Sequence, residues 1–111
     1  MQYNYFPGRL RVRDSVFRVE EIRAAAIRAV RLLADDVQIQ YNEKTSSILA
    51  VYDASKLNVD DLRPLLPYLL KIEPKVRFYT PAKKQDILDG IQEIERRIAQ
   101  GLSGKQQPRQ Q

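Results

Sequence analysis

The sequence predicts an α+β fold: a four-stranded antiparallel sheet with two helices on one face, followed by a further amphipathic helix. Three observations predict it. In Arg9-Leu10-Arg11-Val12-Arg13 charge and apolar residues alternate. Successive side chains of a strand point to opposite faces, so one face of this strand is apolar and the other carries three positive charges. Val37, Ile39 and Tyr41 alternate with Gln38 and Gln40, and a polar turn at Asn42-Glu43-Lys44-Thr45 leads into a β-rich run over 46–52. That pattern is an antiparallel hairpin. Between and after these strands, apolar residues recur at helical spacing.

In chain order, residues 1–6 read as a polar-aromatic lead-in with Tyr3, Tyr5 and Phe6, closed by Pro7-Gly8. The first strand is expected over 9–17, with Asp14-Ser15 as a bulge or an end. A helix follows. Glu20 and Glu21 suit its positive N-terminal end, and Ile22, Ala25, Ala26, Ala29, Val30 and Leu33 share one face, opposite Arg23, Arg28 and Arg31. The alanines imply a close approach to a sheet. After the hairpin and a loop at 53–57, Asn58 is an N-cap candidate with Asp60 and Asp61 in the first turn. Leu62, Leu65, Leu66, Leu69 and Leu70 make the next segment apolar, but Pro64 and Pro67 oppose one smooth helix. A proline in a helix interior costs about 3 kcal/mol. A short first turn and a second piece beginning near Pro64 avoids much of that.

Residues 75–80 are expected as a fourth strand, with Val76 and Phe78 facing one way and Arg77 and Tyr79 the other. Pro81 then opens a helix to about residue 100. Ile87, Ile91, Ile94 and Ile98 recur at spacings of four, three and four, with Leu88 alongside, and form an apolar stripe. Gly90 weakens that helix by about 1 kcal/mol relative to alanine. The order strand, helix, strand, strand, helix, strand is the ferredoxin-like βαββαβ sandwich. The expected organisation is a ferredoxin-like domain over 1–80, the C-terminal amphipathic helix over 81–101 and a disordered, glutamine-rich polar tail over 102–111.

Composition excludes several functions. The 111 residues suffice for one core and not two. Cysteine and histidine are both absent, which removes disulfides, thiolate nucleophiles, imidazole bases and soft-metal ligands. Asp35-Asp36 and Asp60-Asp61 are carboxylate pairs, but neither has the alternating spacing of a calcium loop. No nucleophile and base stand together, so the chain is expected not to be an enzyme and to need no cofactor. No apolar run approaches 18 residues, and no basic and then apolar leader opens the chain, so a cytoplasmic protein without membrane insertion is expected. The net charge of +5 permits an anionic partner without requiring one.

Two segments, Pro7 to Arg13 and Val37 to Asp53, together with the alanine-rich helix between them, resemble the heavy-metal-associated domains. The likeness is to the subgroup with an arginine-rich first strand and an asparagine-x-x-threonine hairpin turn, which lacks the metal-binding cysteines. It covers about residues 7–70. It implies kinship to domains found alone or beside cation-transporting ATPases. Metal-carrying members place a Cys-x-x-Cys pair after the first strand; here that stretch is Asp14-Ser15-Val16-Phe17, so no metal-binding residue carries over.

The functional expectation is a non-enzymatic protein-interaction or adaptor module, accessory to metal transport by resemblance only. Its open sheet face is expected to present Arg9, Arg11, Arg13, Gln38, Gln40, Leu49, Val51, Arg77 and Tyr79. The stripe of Ile87, Leu88, Ile91, Ile94 and Ile98 needs a partner too, since it would not be left in water. Either it folds onto its own sheet or it docks on another chain, and the expected partner is a protein, with a homodimer favoured. The alternative from another class is nucleic-acid binding by the basic open face, in which only Tyr79 is placed for base stacking.

Overall fold

The structure, a computed structural model, describes residues 1–101. The polar tail expected at 102–111 lies outside the described residues. Four strands, β1 (Gln2–Phe6), β2 (Arg9–Arg13), β3 (Gln38–Asn42) and β4 (Ser47–Val51), form one antiparallel sheet in the order β1-β2-β4-β3. Helix α1 (Glu20–Arg31) joins β2 to β3, and α2 (Leu66–Arg77) and α3 (Lys84–Ala99) follow the sheet. The α+β class and the four-stranded antiparallel sheet are as expected. The order of elements, ββαββαα, is not the expected βαββαβ. Since β2 and β3 are each antiparallel to β4, they run parallel to one another, with α1 crossing between them and β4 filling the gap.

Residues 75–80 are not a strand. Val76 and Arg77 end α2, and Phe78 is its C-terminal cap. Leu62, Leu65, Leu69, Ile72 and Val76 follow one another at three, four, three and four residues, a helical period that runs through Pro74. Pro74 lacks the N–H that would bond to the Leu70 carbonyl, a loss of about 3 kcal/mol. Burial of Ile72 and Val76, each contributing about 1.5–3 kcal/mol, outweighs it. Pro67 sits in the first turn of α2, where a missing N–H costs nothing. Pro64 lies in the 3-10 turn Val59–Leu65 that precedes it. The Asn58 cap is present as a capping box: Asp60 N donates to Asn58 Oδ1 (2.9 Å) and Asn58 N donates to Asp61 Oδ2 (3.2 Å).

The vacant edge of the sheet is taken by the lead-in. Tyr3 and Tyr5 alternate with Gln2, Asn4 and Phe6, and Pro7-Gly8 turns the chain so that Phe6 pairs with Arg9. Gly8 has φ +82°, the value a type II turn needs after proline. A Cβ there would lie 2.9 Å from the Tyr52 carbonyl oxygen, whose own N–H donates to Gly8 O (3.0 Å). The first strand is correspondingly shorter than expected. Asp14 stops it by accepting from Val16 N (2.8 Å) and capping a 3-10 turn, Ser15–Arg18, which buries Val16 and Phe17.

Residues 81–101 do not stand apart from the domain. Ile87, Ile91, Ile94 and Ile98 are all buried, in one cluster with Ile22, Ala25 and Ala29 of α1, Ile48 of β4 and Ile72 and Val76 of α2. Lys84 pairs with Glu21 and Arg28 with Glu95, so α3 runs parallel to α1. Lys75 pairs with Asp86 while Ile72 lies against Gly90, so α3 runs antiparallel to α2. These ion pairs are largely exposed and contribute little; the buried isoleucines hold the helix. At Gly90 α3 packs closely on α2: a Cβ there would clash with Ile72 Cγ2.

Gly90→Ala is therefore expected to destabilise the fold by about 1–3 kcal/mol through overpacking, against the gain of about 1 kcal/mol in helix propensity. Urea unfolding measures it, and a higher midpoint in the variant would contradict the close packing. A second outcome concerns Tyr52. Burial, and secondarily its hydrogen bond with Tyr5, push its hydroxyl up from 10.0 to about 12. The unfolded chain then loses this proton first, so the stabilisation is complete below pH 10 and declines as the pH rises towards 12. Ultraviolet titration is expected to show one of the six tyrosines ionising last, and Tyr52→Phe to flatten this part of the stability profile.

Candidate functional site

Among the described residues, the sheet has a covered side and a bare side. Tyr3, Tyr5, Leu10, Val12, Ile39, Tyr41, Ile48 and Ala50 point towards the helices. The register places the alternate residues on the other side in three rows: Gln2, Arg13, Ser47 and Asn42; Asn4, Arg11, Leu49 and Gln40; Phe6, Arg9, Val51 and Gln38. Neighbouring strands lie about 4.8 Å apart, and same-face residues of one strand about 7 Å apart. The result is a lattice four strands wide and three residues deep. The arginines form one inner column, with amides in both outer columns.

The lattice has no carboxylate. Among the described residues, no ion pair reaches Arg9, Arg11 or Arg13, and all three are exposed. Arg11 stands between two shallow depressions. One, of about 440 Å³, is bounded by Gln2, Asn4, Arg13 and Ser47. The other, of about 680 Å³, is bounded by Gln40, Asn42, Lys44 and Leu49. The third row is the apolar end, where Phe6 is 62% exposed and Val51 46%.

The β3–β4 turn fixes one end of this face. Asn42 Oδ1 accepts from Lys44 N (3.0 Å) and Thr45 N (3.4 Å), the side-chain turn for which asparagine is suited. Ser46 follows at φ 55°, a left-handed conformation for a non-glycine residue. It is held there by Arg18 Nε, which donates to Ser46 Oγ (2.6 Å), and by Asp14 N, which donates to Ser46 O (3.1 Å). Thr45 Oγ1 and Ser47 Oγ share a hydrogen bond of 2.6 Å. On the covered side, Arg23 of α1 stacks over the Tyr41 ring at 4.6 Å from its centroid. Tyr3, at the rim, has its hydroxyl raised above the usual tyrosine value by burial and then by the charges of Glu73 and Asp14.

The structure brings together seven residues expected on this face: Arg9, Arg11, Arg13, Gln38, Gln40, Leu49 and Val51. It does not bring Arg77 and Tyr79 there. Arg77 lies on α2 and donates to Glu73 Oε1 (2.9 Å); Tyr79 is half-buried against the helical core. Both were placed on the sheet by the strand expected at 75–80, where α2 instead runs to Arg77 and an irregular link carries Tyr79. The lattice gains Gln2, Asn4 and Phe6, which the lead-in reading missed although Tyr3 and Tyr5 already alternate with polar neighbours. The candidate interaction surface on α3 is absent: Ile87, Ile91, Ile94 and Ile98 are buried within the same chain, with Leu88 half-buried beside them. Among the described residues, no group of three or more histidine, cysteine, aspartate or glutamate side chains could hold a metal ion. Asp36 accepts from Asp53 N (3.0 Å), and Asp60 pairs with Arg63 (3.0 Å). No helix among the described residues is long and apolar enough to cross a membrane.

The site thus defines a small α+β domain with an uncovered, arginine-bearing sheet face. No protein-family model, no curated protein and no solved structure matches the chain.

Proposed function

We propose that this protein is a non-enzymatic interaction module that uses the bare sheet face to bind an acidic, extended segment of another protein. One observation carries the reading: three arginines, without a carboxylate partner among the described residues, run in a column through a lattice that otherwise offers amides, a serine and a few apolar side chains. Arginine is suited to carboxylate recognition because its planar guanidinium donates in pairs. The amides supply neutral hydrogen bonds, Phe6 and Val51 supply apolar contact at one end, and Leu49 supplies it in the middle row. A partner of alternating acidic and apolar residues fits both features.

Two further points support it. The segments that resemble the heavy-metal-associated domains form β2, α1, β3 and β4, a split β–α–β unit of the kind found in ferredoxin-like folds. The strand that edges this unit comes from the N-terminal side, as in a rearranged ferredoxin-like sheet. This favours kinship with the metal-transport-associated domains, and a cation transporter or larger assembly as the partner's setting, while the chain's own chemistry offers no thiol or imidazole. A symmetric dimer through the same face is less favourable, because it opposes one arginine column to another, and like-charge juxtaposition opposes association. With the isoleucine stripe buried, self-association loses its apolar surface, and a different chain becomes the better partner.

A second reading, single-stranded nucleic acid, is favoured by the exposed Phe6 ring beside Arg9 and the amide rows. Aromatic rings stack on bases, and arginines neutralise phosphates. Fluorescence anisotropy separates the two, using a labelled peptide of alternating glutamate and leucine and a labelled oligoribonucleotide. The proposal expects the peptide to bind, and Arg11→Glu to weaken it about tenfold or more, in line with loss of a charged hot-spot contact. Preferential binding of the oligonucleotide, with a steep salt dependence, supports the second reading. Binding of either that is indifferent to Arg11→Glu would overturn the assignment of the site.

A further inference from the structure

β3 is an outer strand. β4 pairs with one of its edges, and among the described residues nothing pairs with the other. Tyr52 N donates to Gly8 O and Asp14 N donates to Ser46 O, so the even-numbered positions along β4 address β2. In an antiparallel ladder a residue's N–H and C=O bond to the same side, and successive residues alternate. Ser47, Leu49 and Val51 therefore bond to their register partners Asn42, Gln40 and Gln38. Ile39 and Tyr41 are left with N–H and C=O directed out of the sheet. Such an open row is a template for another strand, and proteins ordinarily guard it with charge, proline or a bulge. Gln38-Ile39-Gln40-Tyr41-Asn42 has no charged residue and no proline, and its register is continuous.

We propose that two copies of this chain join along this edge, antiparallel about a two-fold axis at Gln40, into one continuous sheet. β3 is self-complementary in that register. Ile39 stands opposite Tyr41 of the second copy, and Tyr41 opposite its Ile39, so each outward N–H meets a carbonyl. The same pairs set a β-branched side chain against an aromatic ring on the covered side, where both are part-exposed in the single chain. On the bare side Gln38 faces Asn42 of the second copy, and Gln40 faces its own equivalent, amide against amide. The exposed Lys44, which has no ion pair among the described residues, comes beside Asp36 of the second copy. A slip of one residue sets the outward groups against residues whose own are turned to β4. Charge favours this edge over that of β1. Strands about 4.8 Å apart leave the two arginine columns about 24 Å apart across β3 and about 14 Å across β1, against a screening length of about 8–10 Å. Residues 102–111 hold no β-branched or aromatic residue, so a second copy matches the edge better than the chain's own end.

Sedimentation equilibrium of the full chain over a concentration series is expected to show a monomer–dimer equilibrium. Gln40→Lys and Gln40→Glu each set like charges across the axis and are expected to weaken the dimer about tenfold or more, while an equimolar mixture of the two restores it. Asn4→Lys, on the β1 strand, leaves the dimer intact. Because the chain has no cysteine, Gln40→Cys supplies a single thiol, and the axis brings the two Cα atoms to about 4.5 Å, within disulfide range. Oxidation is expected to cross-link Gln40→Cys and not Leu49→Cys. A chain that is monomeric at every concentration overturns the proposal, and is the outcome expected if residues 102–111 occupy the edge instead. So does a dimer indifferent to charge at Gln40, one broken by Asn4→Lys, or one that Gln40→Cys fails to cross-link. The proposal is independent of peptide binding by the bare face: the edge dimer leaves Arg9, Arg11 and Arg13 uncovered, and the two are read by different measurements.

Discussion

The packing of Ile87, Ile91, Ile94 and Ile98 into the core is the contact on which the rest of the structure depends. These side chains draw α3 against both α1 and α2, and they face Ile48 across the layer. Burying four isoleucines contributes about 6–12 kcal/mol before conformational entropy is counted, a large term beside the whole net stability of a small domain. The same packing has a topological effect. By committing α3 to the helical side, it leaves nothing among the described elements to cover the other side of the sheet. The bare arginine face and the buried isoleucine stripe are therefore two consequences of one arrangement.

The arginine column is held by backbone and by turns at both ends. β2 is an inner strand, paired with β1 on one side and β4 on the other, so Arg9, Arg11 and Arg13 sit on a rigid base. Side chains of like charge about 7 Å apart repel, and water screens them while the face is empty. An anionic partner would relieve that repulsion at the moment of binding. The Pro7-Gly8 turn positions β1 and hence Phe6, and the Asn42-centred turn positions Ser47 and Asn42. The edges of the lattice are thus set by two short stretches whose residue types answer directly to backbone geometry.

Much of this was legible in the sequence. Period-two alternation identified β2 and β3, and a β-rich run after the hairpin turn identified β4; together they assigned Arg9, Arg11, Arg13, Gln38, Gln40, Leu49 and Val51 to one face, because register follows from which residues must be buried. The Asn58 cap and the whole of α1 followed from local chemistry and helical periodicity. The failures have physical causes. Pro74 argues locally against a helix through 75–77, and tertiary burial of Ile72 and Val76 reverses that. Val76 and Phe78 flanking Arg77 imitate a strand over too few residues to outweigh the longer helical period. β1 was hidden by its polarity: as an edge strand with every residue exposed or nearly so, it carries no apolar run. Gly90 read as a weak point in a helix, and the reason for it, contact with Ile72, lies on another element.

The most direct test of this account is the effect of a charge in the stripe. Ile91→Asp should abolish the cooperative thermal transition seen by circular dichroism, because an unpaired carboxylate in this position cannot be solvated. A variant that keeps a native spectrum and transition, and differs only in sedimenting as a smaller species, would show that the stripe is an interface between chains and would contradict the account.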